Sequence, residues 1–157
     1  ILYCFLPHRQ PAQNNLRYMH LLASMSKLMF HYSVLRRRAI YQAFMFAAFC
    51  LFWTAVPLLL AGPEFHLSQS GIAIFALVGV GGAVFAPLAG KMADLGHTKM
   101  ASNIAFLSGS FSFLLTHFVP LGSITSLLLL TLAAILLDAG VSANLVLGQR
   151  AIFTPAS

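Results

Sequence analysis

The sequence predicts an all-α fold, a polytopic bundle of transmembrane helices. Three observations point there: apolar residues form 59% of the 157-residue chain, charged residues only 8%, and four long runs are almost free of charge. A soluble domain carries about 25% charged residues, so this chain is composed for a bilayer. In lipid every backbone N–H and C=O needs an internal partner, which makes each long run a helix. Their unbroken apolarity excludes the alternating strands of a barrel.

The elements follow in chain order. Residues 1–7 (ILYCFLP) read as the end of a transmembrane helix, as though cut from a longer protein. Residues 8–38 differ in kind. A polar linker, HRQPAQNN, is followed by Leu21, Met25, Leu28, Tyr32 and Leu35 at helical spacing, with His20, Ser24, Lys27 and His31 in a stripe beside them. Such a basic amphipathic helix either lies on the membrane face or packs on neighbouring loops. Four spans are expected over residues 39–61, 71–90, 100–119 and 124–148. The first reaches roughly 35 Å at about 1.5 Å per residue, enough for a hydrocarbon core of about 30 Å. Pro57 and Pro87 are expected to kink their helices. Small residues in the second span (Gly79, Ala83; Gly82, Ala86, Gly90) and Ser108, Ser112 and Thr116 in the third are spaced for close helix packing.

All nine basic residues fall on one side of these spans: Arg9, Arg17, Lys27 and Arg36 to Arg38 before the first, Lys91 and Lys99 in the second connection, and Arg150 at the end. The opposite loops hold only Glu64 and His66 as ionisable groups. The positive-inside rule makes the basic side cytoplasmic, so residues 8–38, 91–99 and 149–157 are expected there.

The same patterns exclude several functions. A net charge of +6 suggests nucleic acid, but the basic residues sit between apolar runs and form no aromatic-interleaved patch. Cys4 and Cys50 lack CxxC spacing and the six histidines lack HxxxH or HExxH spacing, so neither a disulfide framework nor a metal site is indicated. No nucleophile–base pair or Gly-rich phosphate loop is visible, so the chain is not read as an enzyme and no cofactor is expected.

Polar groups inside the spans are the candidates for function. Asp138 lies near mid-depth, where an acid costs roughly 2.5–3.5 kcal/mol and faces a cavity or a partner. Thr131, Asp138, Ser142 and Gln149 fall within about 40° of one another around the helix, a stripe suited to a substrate or proton pathway. The alternative is a structural Asp bonded to a neighbouring helix. In the first span Gln42, Phe46, Phe49 and Trp53 share a face. Trp53 sits away from the interfacial belt, either contacting an apolar solute or packing as core.

The second connection reads Gly90-Lys91-Met92-Ala93-Asp94-Leu95-Gly96-His97-Thr98-Lys99. It resembles the cytoplasmic motif G-x-L-a-D-r-x-G-r-k of the major facilitator superfamily: Gly90, Met92 (for Leu), Ala93 and Asp94 match in order and Lys99 takes the last basic position. Leu95 replaces the family's Arg, and Gly96 comes one place early. The closing segment, Leu137 to Val141 and Gln149 to Ile152, is similar to helix 10 of bacterial drug and sugar efflux members. The resemblance implies part of a C-terminal half, from the end of helix 6 through the central loop to helix 10. It further implies alternating-access transport of a small drug- or sugar-like solute, efflux or antiport with H+, in a bacterial inner membrane. Helices 7 and 10 then border the central cavity, while Gly90, Ala93, Asp94, Gly96, Lys99 and Arg150 belong to a conformational switch. Physically, Gly90 permits close approach and Asp94 suits a helix N-cap; an Asp94–Arg150 ion pair is conceivable from their common side. Against this stand a truncated or decayed transporter without activity of its own, and a small membrane scaffold or accessory subunit.

Overall fold

A computed structural model describes residues 18–118 and 122–153. The expected helix end at 1–7, the linker at 8–15 and residues 154–157 lie outside the described part. The described residues are helical with no strand, as the composition required. They divide after Ser33 into two units.

The first unit contains α1 (Tyr18–His31), 14 residues long with no buried residue. It covers most of the expected amphipathic helix, and Leu21, Met25 and Leu28 are all exposed along it. Ser24 and Ser26 turn their hydroxyls back to the carbonyls of Leu21 and Leu22, so neither serine offers its hydroxyl proton outward.

The second unit starts within α2 (Ser33–Ala61), 29 residues. This helix begins six residues before the expected span, because nothing between Ser33 and Ala39 breaks it. Arg36, Arg37 and Arg38 therefore sit on its first turns. Pro57 lies inside it and removes the rung that would have ended on the Trp53 carbonyl.

The second span is a 26-residue path, Gln69–Asp94, in three pieces: α3 (Gln69–Leu77), α4 (Val80–Ala83) and α5 (Phe85–Asp94). Ser68 caps its start, its hydroxyl accepting from the Gly71 N–H. The breaks have local causes. Glycines at 79, 81 and 82 carry no side chain to hold the α form, and the amides of Val78, Gly79, Gly81 and Gly82 bond three residues back, the tighter 3₁₀ pattern. Pro87 disfavours the rung to Ala83, where α4 ends. The expected single kink is thus two interruptions.

Next come α6 (Thr98–His117) and α7 (Ile124–Phe153). Among the described residues, three helical stretches are long and apolar enough to cross a membrane: Ser33–Ala61, Gln69–Asp94 and Ile124–Ile152. The 20-residue α6 is long enough but more polar, carrying Lys99, Asn103 and serines at 102, 108, 110 and 112.

The helix α7 is the central element. Its Leu130, Ala133, Ala134 and Leu137 meet Phe52, Val56 and Leu60 of α2 and Phe75 of α3 in one apolar cluster. A second cluster joins Ala89, Ala101 and Leu147. Apolar burial drives little association in lipid, so close packing of small residues and interhelical hydrogen bonds carry more weight. A Cβ at Gly140 would lie 2.6 Å from the Ala105 carbonyl oxygen, so α7 and α6 meet almost backbone to backbone there. Ser108, at the same interface, donates to the Leu136 carbonyl at 2.7 Å.

Polarity is segregated between the two ends. Arg38 of α2 donates to Ser102 at the start of α6 (2.7 Å), and Arg150 of α7 pairs with Asp94 of α5. These contacts bring the basic helix ends together. At the opposite end, a Cβ on Gly122 (φ +79°) would lie 3.0 Å from the Glu64 carbonyl oxygen, so the two poorly charged connections meet there.

Candidate functional site

Asp138 sits midway along α7 and is 7% exposed. One donor addresses its carboxylate among the described residues: the Trp53 indole N–H, 3.0 Å from Oδ1. The two residues come from different expected stripes, and the fold joins them across α2 and α7. Glycines make the room. A Cβ on Gly79 would be 2.5 Å from Asp138 Oδ2 and 2.7 Å from the Trp53 ring, and one on Gly82 would overlap the Asp138 Cβ. The interrupted stretch of the second span is therefore where the chain lets the acid and the indole lie against its backbone.

Trp53 also belongs to a row of rings. Phe46 stacks on Phe49 at 6.0 Å, Phe49 lies 6.3 Å from Trp53, and Trp53 lies 6.0 Å from Phe75 of α3. The exposed Phe46 lies toward the basic end, and the row leads from it to the carboxylate.

The rest of the expected polar stripe is looser. Thr131 and Ser142 are half-buried and Gln149 is exposed; no hydrogen bond links them to Asp138 among the described residues. Gln42, expected on the aromatic face, makes a second polar bridge to α7, its Oε1 accepting from Asn144 Nδ2 at 2.8 Å. Asn144 is 1% exposed and its Oδ1 has no hydrogen-bond partner among the described residues. Asn144 carries no charge to mark it in the sequence; an Asn inside an apolar run was the available signal.

The loop motif builds a helix stop and an ion pair. Gly96 (φ +81°) occupies the left-handed position that favours glycine. Its N–H bonds the Ala93 carbonyl (3.0 Å), and the His97 N–H bonds the Met92 carbonyl (2.9 Å), a Schellman closure of α5. Asp94 is the last residue of α5, and α6 begins after His97 with no side-chain cap. The expected N-capping role of Asp94 is thus replaced. A carboxylate at a helix C-terminus opposes the dipole, and the partner that offsets this is Arg150. Gly90 completes the arrangement: its missing Cβ would be 3.4 Å from the Arg150 guanidinium. Lys99 is exposed on the first turn of α6.

A groove of about 570 Å³ lies between α5, α6 and α7, lined by Leu88, Met92, Ile104, Phe111 and Leu136 among others. Ser108 is its one hydroxyl, already committed to Leu136. Such a groove has nothing to orient a polar solute, and neither Asp138 nor Trp53 lines it.

No family model matches the chain, and no solved structure matches it. Over 142 residues it is 32% identical to the "Uncharacterized transporter YgaY" of Escherichia coli O157:H7. It is equally similar to the "Putative uncharacterized transporter YgaY" of Escherichia coli strain K12. The alignment covers 90% of this chain and 35% of each relative, so the chain spans about a third of the length of the curated relatives it matches. Taken with its spans, this supports a multi-pass integral membrane protein of transporter type.

Proposed function

We propose that the chain is part of a secondary transporter of the major facilitator type, moving a small drug- or sugar-like solute by alternating access, with efflux coupled to H+. The observation that carries this is the buried Asp138 at mid-span, held by one neutral donor and no cation among the described residues. Proton uptake there removes a charge from the membrane interior, where it costs roughly 2.5–3.5 kcal/mol, and changes what the Trp53 bridge between α2 and α7 joins. A charge-linked change at a helix contact is what coupling of proton and solute needs.

The loop motif and the likeness to transporters support the same reading. On it, α2, the Gln69–Asp94 path, α6 and α7 correspond to helices 7 to 10 of the family, with α6 counted as the third of four spans. The basic end is cytoplasmic in a bacterial inner membrane, residues 8–38 form the central loop, and the pathway lies between two helical halves. The Asp94–Arg150 pair then ties α5 to α7 in one state and parts in another. Exposed pairs of this kind are worth about 0–1 kcal/mol, weak enough to break in each cycle.

The test is Asp138→Asn in the protein purified from membranes and reconstituted into vesicles with an imposed proton gradient. Gradient-driven transport is abolished while membrane insertion is retained. Normal transport by that variant would sink the proposed role. A chain that inserts but moves no solute even as wild type, under either polarity of gradient, is the inactive segment of the alternative reading.

A further inference from the structure

The groove of about 570 Å³ between α5, α6 and α7 is set apart from Asp138 and its bridge to Trp53. We infer that it binds one acyl chain of an anionic phospholipid, whose phosphate lies at the basic end with Lys91 and Lys99. The lipid is a resident of this site and is not the transported solute. Size and lining, length, and charge each narrow the occupant.

Size and lining set the chemical class. Small-molecule sites commonly measure about 300–1,000 Å³, and this groove falls inside that range. Its floor follows the α6–α7 crossing, where Ala105 and Gly140 meet backbone to backbone. The small side chains of Ala101, Ala139 and Ala143 line the same groove and leave it deep. Leu88, Ile104, Leu107 and Phe111 line it and are exposed, so they form its open rim. The one hydroxyl in the lining, on Ser108, already donates to Leu136. A polar group taken into this lining goes unmet, and an unmet buried polar group is costly. The part of the ligand inside the groove is therefore hydrocarbon.

Length selects one leaflet. On α6 the lining runs from Ala101 to Phe111, a rise of roughly 15 Å at about 1.5 Å per residue. That is half of a hydrocarbon core of about 30 Å. The lining starts close to Thr98, the first residue of α6, and so runs from the basic end toward mid-membrane. One chain hanging from a headgroup at that end matches this extent. A transmembrane helix docking there would need a face about twice as long.

Charge selects the headgroup. Met92 and Ala101 mark the basic end of the groove. Lys91 directly precedes Met92 and Lys99 lies two residues before Ala101, both exposed. The acid of the same connection, Asp94, is paired with Arg150, so it does not neutralise the two ammonium groups. Lysine stems lie along apolar surface while their charged heads stay at the polar boundary. Each lysine is worth about fivefold in affinity for an anionic membrane surface. A zwitterionic headgroup gains less, because its own ammonium offsets its phosphate.

The experiment is native mass spectrometry of the purified full protein in detergent, titrated with dioleoyl phosphatidylglycerol or with dioleoyl phosphatidylethanolamine. A first bound phosphatidylglycerol is expected to saturate ahead of any others, and to bind at least about fivefold tighter than phosphatidylethanolamine. Ala143→Leu fills the groove and weakens that first binding at least about tenfold. Ala47→Leu makes the same change at an exposed position of α2 outside the groove and leaves the binding intact. The double change Lys91→Gln with Lys99→Gln removes the preference for phosphatidylglycerol. Should Ala143→Leu fail to elute as a folded species, Leu107→Ala trims only the exposed rim and weakens binding about threefold.

Lipid adducts that accumulate with no distinct first site overturn the assignment, since they report only the general lipid coat. So does a first site that ignores both Ala143→Leu and Leu107→Ala, which would mean that another helix of the full protein covers the groove. Equal binding of the two lipids by the wild-type protein overturns it as well, because the basic end then selects no headgroup. The outcome is separate from that of the vesicle transport test: the site requires only insertion in a bilayer, and Asp138 takes no part in it.

Discussion

A carboxylate in the middle of a membrane helix is an expensive residue, and its surroundings show how the chain tolerates it. Trp53 gives Asp138 one hydrogen bond, and Gly79 and Gly82 leave the space in which acid and indole lie together. A methyl group at Gly79 has nowhere to go, since it would strike both Asp138 Oδ2 and the Trp53 ring. A methyl at Gly81, two residues on, meets none of the described residues within 4 Å. Gly79→Ala is therefore expected to destabilise the protein by about 1–3 kcal/mol, as overpacking does, and to cut Asp138-dependent transport at least about tenfold. Gly81→Ala leaves both near wild type. Equal behaviour of the two variants, read by thermal melting and by vesicle uptake, would rule out the glycine cradle. Both members of the bridge were legible in the sequence, Asp138 as an acid at depth and Trp53 as an indole off the interface. Their meeting was not, because helical spacing fixes faces within a helix but not which faces of two helices oppose. Gln42 illustrates the same limit: its face pointed to the aromatic row, and its side chain reaches Asn144 instead.

Among the elements, helix existence followed directly from apolar run length, while helix ends and interruptions depended on side chains acting locally. The stop at Gly96 lies beyond the expected end of the second span at Gly90, where the sequence marks Gly96 only as a motif glycine, and the Asp94–Arg150 pair was suggested only by two charges expected on one side. The two breaks in the second span arise from three glycines and Pro87 acting in succession, and a single proline suggested only one kink. The closest helix crossing was also hidden, because a glycine in an apolar run looks alike whether it faces lipid or a neighbour. Gly140 and Gly148 make that contrast within α7. A Cβ at Gly140 would meet the Ala105 carbonyl oxygen at 2.6 Å and the Gly109 nitrogen at 3.4 Å, both backbone atoms that cannot swing aside, whereas one at Gly148 meets none of the described residues within 4 Å. Gly140→Val should therefore lower thermal stability in detergent by about 1–3 kcal/mol, and Gly148→Val should change it by less than about 0.5 kcal/mol. The reverse order would mean that α6 and α7 do not cross at Gly140.

For the molecule as a whole, charge segregation sets orientation before any tertiary contact forms. Arg36, Arg37, Arg38, Lys91, Lys99 and Arg150 lie at one end of the second unit, and Glu64 lies at the other. The Arg38–Ser102 and Arg150–Asp94 contacts bind the basic end together. Inverting the inserted chain would carry six basic residues through the bilayer centre, where each costs about 2.5–3.5 kcal/mol, so the orientation taken at insertion is held by that barrier. A fixed orientation with residues 91–99 cytoplasmic is the expected result. Cys4 and Cys50 are first changed to Ser, and Glu64→Cys and His97→Cys are introduced separately in the full protein. In intact cells a membrane-impermeant maleimide labels Glu64→Cys and reaches His97→Cys only after permeabilisation. The reverse pattern would invert the orientation and place the exposed start of the Phe46–Phe49–Trp53 row on the outer side, against the efflux direction proposed above. Labelling of both sites in intact cells would mean a mixed topology, in which the basic end does not control insertion and the direction assigned to the pathway has no basis.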